Sequence, residues 1–243
     1  MKTHTIHFST IDSTNSYAKR NKGRLDKNTV TIIYADTQTA GRARFDHQWL
    51  SPSEGNLYVT FCFHLTERLR ECAQFSLAAA VTVAGILEKY EISPTLKWPN
   101  DIQIEGKKIG GVLLETSPTE EGLFLFCGLG LNINMSEKTL DFIGIPATSL
   151  LLETKKSQEV KDVLHRLTDK LLLAIKDFRQ QGISPFLERY RQLTAFWSRK
   201  KVSFRNAQGK RLEGIFVEIT NEGALVLKLE DGETVVCYSG EIE

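Results

Sequence analysis

The sequence predicts an α+β fold, in which a mixed β-sheet with packed helices is followed by a small β-barrel. Most of the predicted strands before residue 135 are joined as hairpins. Two amphipathic helices follow over residues 157–197, and beyond them the chain changes abruptly to short strands separated by turns. A doubly wound nucleotide-binding fold does not fit, because it requires regular strand–helix–strand crossovers.

The composition is that of an ordinary globular protein, with 41% hydrophobic and 25% charged residues among 243. The 31 Lys and Arg residues nearly balance the 30 Asp and Glu residues, so the formal charge of +1 indicates no surface for nucleic acid or membrane. The 4 cysteines lack C-x-x-C spacing, which predicts reduced thiols in a cytoplasmic protein. We expect neither a signal peptide nor a stretch long and apolar enough to span a bilayer.

Local patterns place the elements of the first part of the chain. They predict a strand at residues 3–8, a short helix capped by Asp12 or Ser13, a buried strand at 29–35, a strand at 57–65 and a helix at 75–90. Because apolar and other residues alternate over 57–65, we expect that strand to place one face on the core. A strand that ends at Pro99, a hairpin turning at Gly106 and strands at 110–115 and 123–131 come next.

The second part of the chain is predicted to be helical and then all-β. Residues 135–148 are predicted to form a loop, Ser157 to cap a long helix that ends at Gly182, and Ser184-Pro185 to begin a second helix. Short strands at 201–205, 211–219, 224–228 and 234–238 then predict the small barrel. These patterns place a domain boundary between residues 197 and 198, giving domains 1–197 and 198–243.

Cations near loops are the main candidates for chemistry, since the chain has no Walker A, G-x-S-x-G or H-E-x-x-H motif. Arg42 and Arg44 suit phosphate or carboxylate recognition, and Lys97 lies on a strand that ends in turn residues. Arginines in a loop are most often solvated charges, whereas the turn residues after Lys97 favour a site over a plain surface. Asp101 and Asn132 could bind Mg²⁺ or a ribose hydroxyl, or could cap turns.

Several short motifs occur in the order and spacing of one known family. They are Asp12-Ser-Thr-Asn15, Gln38-Thr-Ala-Gly-Arg-Ala-Arg44, Trp49-Leu-Ser-Pro52, Asn56-Leu-Tyr58, Lys97-Trp-Pro-Asn-Asp101, Lys108-Ile-Gly-Gly-Val-Leu-Leu-Glu115 and Gly128-Leu-Gly-Leu-Asn-Ile-Asn134. Together they resemble biotin protein ligases of the monofunctional type, without a DNA-binding domain. The resemblance implies a class II synthetase-like biotin–lipoate ligase fold, with an SH3-like C-terminal barrel.

The resemblance also implies an activity and its partners. Biotin attacks the α-phosphate of ATP to give biotinyl-5′-AMP and pyrophosphate, with Mg²⁺, and a lysine of a biotin carboxyl carrier protein then accepts the biotin. The expected protein is cytoplasmic, a monomer or homodimer, and binds no membrane. Because the first motif begins at Asp12, we expect no winged-helix domain and no DNA partner.

Site residues follow from the motif positions. The resemblance implies catalytic roles for Lys97, Arg42 and Arg44, biotin binding by Ser13, Thr14, Asn15, Gln38, Gly41, Trp49, Gly111 and Gly130, nucleotide binding by Arg42, Arg44, Lys97 and Asn132, and a metal contact by Asp101. The two arginines would close their loop over the acyl-adenylate, with Lys97 between the biotin carboxylate and the phosphate.

The loop that carries Arg42 and Arg44, called the arginine loop below, departs from the family pattern. Ala43 replaces a glycine, and Phe45, Asp46 and His47 follow Arg44 where further glycine and arginine are usual. Fewer glycines restrict the loop backbone, and Asp46 lowers the local positive charge. Two alternatives stay open: a lipoate-type ligase on the same fold, whose glycine-run motif is not found here, and a non-catalytic biotin or nucleotide sensor, which would not need Lys97.

Overall fold

The computed structural model describes residues 1–45, 47–53, 55–67, 69–206 and 208–242. Its larger sheet contains β1 (Lys2–Ile11), β2 (Thr29–Gln38), β3 (Leu57–Leu65), β4 (Pro94–Lys97), β5 (Asp101–Ile104), β6 (Lys107–Thr119) and β7 (Gly122–Leu131). These form a seven-stranded sheet in the order β1-β2-β3-β7-β6-β5-β4. β1 and β2 pair in parallel, and the other neighbours pair antiparallel. The predicted mixed sheet is therefore confirmed.

Strand β3 is buried on both faces, with all 9 of its residues buried. The expectation that only one face meets the core was wrong. Phe61 and Phe63 belong to the main core, whereas Cys62, on the opposite face, packs in a second cluster with Ala18. Because β3 lies in the middle of the sheet and helices cover both sides, its alternating pattern did not mark an exposed face.

The helices lie on the two faces of this sheet. They are α1 (Thr14–Arg20), α2 (Phe75–Leu87), α3 (Glu137–Leu140), α4 (Leu150–Thr154), α5 (Val160–Gln181) and α6 (Ser184–Thr194). Ser13 caps α1, and Gly182 ends α5, as predicted. Ser157 does not cap α5: its Oγ donates to Asn134 Oδ1 at 3.1 Å, and α5 begins after Glu159.

Two short helices were missed by the sequence analysis. The stretch expected to be a loop at residues 135–148 contains α3, which Ser136 caps, and α4 follows with Ser149 as its cap. Both are too short to show hydrophobic periodicity, so the serine caps were their main sequence signal.

The helical segment Glu71–Tyr90 is long and apolar enough to cross a membrane, contrary to the sequence expectation. Half of this segment is buried inside the protein, and α2, within it, carries the buried Ala78, Ala79 and Ala80. The small alanine side chains let α2 lie close to the sheet. This pattern is that of a core helix.

A second, five-stranded antiparallel sheet forms the C-terminal part. It contains β8 (Lys201–Asn206), β9 (Arg211–Ile219), β10 (Leu225–Leu229), β11 (Thr234–Cys237) and β12 (Gly240–Ile242), in the order β11-β10-β9-β8-β12. The predicted all-β module is confirmed, although β12 was missed. Pairing among these described strands does not close into a barrel. Phe204 and Phe216 belong to the same core cluster as the larger sheet, so the two parts pack together.

The cysteines form no disulfides, in agreement with the sequence prediction. Burial raises the pKa of the Cys62 and Cys127 thiols, so neither is a ready nucleophile. Both lie on adjacent strands of the core, which makes packing their role.

We predict that Leu171→Ala lowers the free energy of unfolding by about 2–5 kcal/mol, because Leu171 is fully buried on α5 and its loss leaves a cavity. Urea unfolding followed by circular dichroism would measure this loss. Leu173→Ala on the same helix is the matched control, since Leu173 is 54% exposed, and a change of less than about 0.5 kcal/mol is expected. Equal losses in the two variants would contradict the burial assigned to this helix.

Candidate active site

A cavity of about 600 Å³ lies between the strand ends of the large sheet and the C-terminal sheet. Every predicted site residue except Gly41 lines it, namely Ser13, Thr14, Asn15, Gln38, Arg42, Arg44, Trp49, Lys97, Asp101, Gly111, Gly130 and Asn132. Residues from six separate motifs of the sequence therefore meet at one place. A cavity of this size suits a ligand as large as a nucleotide.

Gln38 is fixed at one end of the cavity by hydrogen bonds through both ends of its amide. Its Oε1 accepts from the backbone N of Thr14 at 2.9 Å and from Thr14 Oγ1 at 3.2 Å. Its Nε2 donates to Ser51 Oγ at 3.0 Å. The loop that begins α1 and the end of β2 thus hold one another in place, and polar atoms line this end of the cavity.

Asn15 is buried beside this group and ties α1 to the sheet. Its Nδ2 donates to Leu113 O at 3.3 Å and to Glu115 Oε2 at 3.2 Å, and its Oδ1 accepts from Thr60. A Cβ atom on Gly128 would lie only 2.2 Å from Asn15 Oδ1. Gly128 is therefore needed for Asn15 to reach the sheet.

Trp49 packs on the glycines of the two central strands. A Cβ atom on Gly130 would lie 2.4 Å from Trp49 Cε2, and one on Gly111 would lie 3.4 Å from Trp49 Cζ3. The indole Nε1 is buried and has no hydrogen-bond partner within the described residues. The indole of Trp49 thus forms an apolar wall directly against the glycines.

Gly41 does not line the cavity. A glycine is required there because neighbouring atoms leave no room for a side chain. A Cβ atom on Gly41 would lie 2.3 Å from Trp49 O and 2.6 Å from Ser51 Oγ. The backbone N of Trp49 also donates to Gly41 O at 3.0 Å. Gly41 therefore allows the two ends of the arginine loop to meet.

Arg42 is bound by a carboxylate that the sequence analysis did not single out for a role. Its Nη1 lies 2.8 Å from Glu115 Oε2, and Lys19 Nζ lies 2.7 Å from Glu115 Oε1. Burial would raise the pKa of Glu115, but hydrogen bonds from Lys19 and Asn15 and the charge of Arg42 outweigh it and lower the pKa. Glu115 therefore stays ionised and anchors the first arginine of the loop on β6.

Arg44 is directed toward the C-terminal sheet. Its Nη1 donates to Gly240 O at 2.8 Å and contacts Asn100 Oδ1 at 3.5 Å. Burial lowers the pKa of Arg44, and the charges of Glu241 and Asp101 offset part of that effect. The group remains a cation at neutral pH, since the pKa of an arginine lies far above 7. A half-buried cation at this position favours an anionic ligand.

Lys97 lies on the cavity side of β4, opposite the buried Leu96 and Trp98. Its Nζ is 6.0 Å from the ring centroid of Trp197. Lys97 and Arg44 thus approach the same cavity from different elements.

Asp101 pairs with Lys108, whose Nζ lies 2.6 Å from Asp101 Oδ1. The described residues include no group of three or more His, Cys, Asp or Glu side chains that could hold a metal ion. A metal cage built by the protein alone does not fit this site. The metal contact of Asp101 stays a prediction from the sequence.

Asn132 provides a buried acceptor at the other end of the cavity. Its Nδ2 donates to Thr148 O at 3.0 Å. Its Oδ1 is buried and accepts no hydrogen bond from the part of the chain that the structure describes. Because a buried polar atom is costly to leave unpaired, this oxygen is suited to accept a hydrogen bond from a ligand.

The C-terminal sheet contributes cavity residues that the sequence analysis missed. They are Arg205, Arg211, Glu241 and Ile242. Arg205 pairs with Glu241 across β8 and β12. No local motif surrounds these residues, and charged residues on short strands are usually solvated. Only the packing of the two sheets brings them to the cavity.

Residues 7–132 match the family described as "Biotin/lipoate A/B protein ligase family". Residues 200–243 match the domain described as "Biotin protein ligase C terminal domain". The chain belongs to the biotin/lipoate A/B protein ligase family. The resemblance found in the motifs is confirmed, and the expected biotin–lipoate ligase fold is the one observed.

Named relatives agree with this assignment. The chain is 31% identical to the bifunctional ligase/repressor BirA of Salmonella typhimurium over 235 residues, which cover 96% of this chain and 71% of the relative. It is 28% identical to the biotin–[acetyl-CoA-carboxylase] ligase of Mycobacterium tuberculosis, covering 87% of this chain and 77% of the relative. The structure of the Aquifex aeolicus biotin protein ligase in complex with biotin and ATP matches with a TM-score of 0.79 at 28% identity, covering 99% of this chain and 97% of that chain.

We predict that Glu115 makes stability depend on pH in acid. The folded pKa of Glu115 is lowered from 4.5, so its stabilising contribution is complete above pH 4.5 and is lost as the pH falls through the folded pKa. Glu115→Gln should therefore flatten the decline of the free energy of unfolding between pH 5 and about pH 3. Urea unfolding at several pH values measures the slope.

The exposed Glu120→Gln is the control, because it removes one carboxylate from the turn that joins β6 and β7. That variant should keep the parent's slope. If Glu115→Gln also keeps it, the three-way contact on Glu115 does not stabilise the folded protein.

Proposed function

We propose that the protein is an ATP-dependent biotin protein ligase, which forms biotinyl-5′-AMP and transfers the biotin to a lysine of a biotin carboxyl carrier domain. The main support for this proposal is that Lys97 and Arg44 line the same cavity as three polar residues. These are Ser13, Thr14 and Gln38. The match of the C-terminal residues to a biotin protein ligase domain favours biotin over lipoate. A non-catalytic sensor is less well supported, since it has no need of a lysine between two anions.

Biotin is assigned to the end of the cavity formed by the loop before α1 and the end of β2. The hydroxyls of Ser13 and Thr14 and the fixed amide of Gln38 suit the hydrogen-bonding head group of biotin. Trp49 and the backbone of Gly111 and Gly130 supply the apolar surface for the ring and chain. This arrangement directs the biotin carboxylate toward the cations.

Adenylate formation requires two anions to approach one another. A carboxylate and a phosphate repel, so fixed cations must stabilise the charge that develops between them. Lys97 is assigned this role, because it lies on a strand rather than on the loop and lines the cavity. The carboxylate oxygen of biotin attacks the α-phosphorus, and the bond to pyrophosphate breaks.

The arginine loop is assigned the protection of the adenylate. Arg42 is held on β6 by Glu115, and Arg44 is held by Gly240 O, so the loop lies across the cavity between the two sheets. A covered site keeps water from the activated carbonyl. The acceptor lysine then attacks that carbonyl and displaces AMP.

The nucleotide is assigned to the end near Asn132, whose Oδ1 can accept a hydrogen bond from the base or ribose. Mg²⁺ stays a prediction: bound to the ATP phosphates, it would neutralise charge on the leaving pyrophosphate. We assign no step to the metal, because Asp101 is already paired with Lys108.

Other features of the protein also remain proposals. They are the carrier protein as acceptor, the cytoplasmic location, the absence of DNA and membrane partners, the monomeric or dimeric state, and the domain boundary between residues 197 and 198. The core shared by the two sheets supports an enzyme that works as one unit.

We predict that the protein releases pyrophosphate from ATP when biotin is present, and that lipoate does not replace biotin. Lys97→Ala should reduce this release by about 100-fold or more, because it removes a preorganised cation from the transition state. A coupled pyrophosphate assay with each acid measures both effects.

Lys228→Ala is the control, since Lys228 is an exposed lysine on β10 of the C-terminal sheet. It should keep the parent rate. Near-normal release by Lys97→Ala would overturn the role of that lysine, and release with lipoate but not with biotin would overturn the proposed substrate.

We also predict that Arg44→Gly releases biotinyl-AMP into solution. The variant loses the hydrogen bond to Gly240 O and the half-buried cation beside the phosphate. Added bystander protein should then be biotinylated on its lysines several-fold faster than with the parent, as measured by streptavidin blotting. A variant that retains its adenylate as well as the parent would show that Arg44 does not protect the intermediate.

A further inference from the structure

Phe45 has a backbone conformation that favours glycine. Its φ angle is +50°, in the left-handed region, where a Cβ atom is strained against the backbone. A bulky side chain at such a position needs contacts that hold it there. The neighbours of the Phe45 ring supply these contacts.

The ring of Phe45 lies between two guanidinium groups. The Cζ atom of Arg44 is 4.8 Å from the ring centroid, and the Cζ atom of Arg205 is 5.3 Å from it. Arg44 belongs to the same loop, whereas Arg205 belongs to β8 of the C-terminal sheet. Aromatic faces attract cations, so both contacts favour the observed position of the ring.

Arg205 is itself held in place. It pairs with Glu241 on β12, and its Nη2 lies 3.2 Å from Nε2 of His47, another residue of the loop. Together with the hydrogen bond from Arg44 to Gly240 O, these contacts attach three residues of the loop to the C-terminal sheet. The other end of the loop is attached to β6 through Arg42 and Glu115.

We propose that Phe45 is a positioning residue, whose ring between Arg44 and Arg205 fastens the arginine loop to the C-terminal sheet. The contact sets how long biotinyl-AMP stays in the cavity. This inference rests on the proposed biotin ligase activity. It assigns the C-terminal sheet a role in retaining the intermediate rather than in forming it.

Retention of biotinyl-AMP and formation of biotinyl-AMP depend on different residues. Phe45 touches neither Lys97 nor the polar group around Gln38 in the contacts described, so loss of its ring should leave the rate of adenylate formation close to that of the parent. A merely structural residue would change the stability of the whole protein instead. A positioning role therefore changes the retention of biotinyl-AMP, whereas a structural role changes the unfolding midpoint in urea.

The test compares Phe45→Ala, Phe45→Gly and Phe45→Tyr in the full-length protein. The first measurement is trypsin cleavage after Arg42 and Arg44 in the absence of ligands. The second is the dissociation of preformed radiolabelled biotinyl-AMP into excess unlabelled biotin, with the rate of pyrophosphate release measured in parallel. The unfolding midpoint in urea shows whether each variant folds as the parent does.

We expect Phe45→Ala and Phe45→Gly to be cleaved several-fold faster and to lose the adenylate about five- to tenfold faster, which is the size expected for two cation–aromatic contacts. Pyrophosphate release at saturating substrate should stay within about threefold. Phe45→Tyr keeps the aromatic face and should behave as the parent. Arg205→Gln should also accelerate both cleavage and loss, since it removes the partner of the ring.

Phe196→Ala is the matched control, because Phe196 forms a cation–aromatic contact with Lys200, 3.1 Å from the ring centroid, outside the arginine loop. It should change neither cleavage nor retention. Parent-like cleavage and retention in Phe45→Ala would overturn the proposal. Faster loss in Phe45→Gly alone would also overturn it, because the backbone rather than the ring would then hold the loop.

The cleavage assay needs no substrate, so it tests the loop attachment even if the proposed activity is wrong. If the parent releases no pyrophosphate with biotin, the proposed function fails while the cleavage result still stands. If the parent is active but Phe45→Ala behaves as the parent in both assays, only the positioning role of Phe45 fails.

Discussion

The site depends on one electrostatic constraint, which is that several cations must share a cavity before their anionic ligands arrive. Like charges at short range in a partly buried place repel strongly unless each has a partner. The chain supplies a partner for four of them: Glu115 for Arg42, Asp101 for Lys108, Glu241 for Arg205 and a backbone carbonyl for Arg44. The cations are thus kept in place and ready, and a bound phosphate competes with acceptors already present.

These partners come from different parts of the fold, so the cavity is a product of both sheets. Trp98 Nε1 donates to Gly223 O at 3.0 Å, and Arg191 Nε donates to Ile219 O at 3.0 Å, which fixes the C-terminal sheet against α6 and the strand that carries Lys97. The hydroxyl of Tyr190 also donates to Pro99 O at 2.9 Å. Because the anchor of Arg44 lies on the C-terminal sheet, a shift between the two sheets would move the arginine relative to Lys97.

Local sequence patterns predicted much of this arrangement, and their failures have a common cause. Most of the strands, α1, the end of α5 and the cavity residues that belong to the family motifs were recognised from patterns within a few neighbouring residues. The burial of β3 on both faces, the pairing of Arg42 with Glu115 and the approach of Arg205 depend on contacts between segments that are distant in sequence, as with Arg42 and Glu115, which are 73 positions apart. Glycine was the most useful local signal, since Gly41, Gly128 and Gly130 each mark a place where a side chain from another segment comes too close for a Cβ atom.

A loop attached to the protein in advance has a thermodynamic consequence for its ligands. A glycine-rich loop that orders only when ligand binds loses its conformational entropy at that step, which reduces affinity. In this chain Ala43 leaves the loop fewer backbone conformations than a glycine would, and the contacts of Phe45 with the C-terminal sheet hold the loop. Ligand binding then orders fewer residues of the loop, so less conformational entropy is lost at that step. The same contacts must open for large substrates to enter or leave, so a gain in retention of the intermediate is accompanied by slower exchange of ligands.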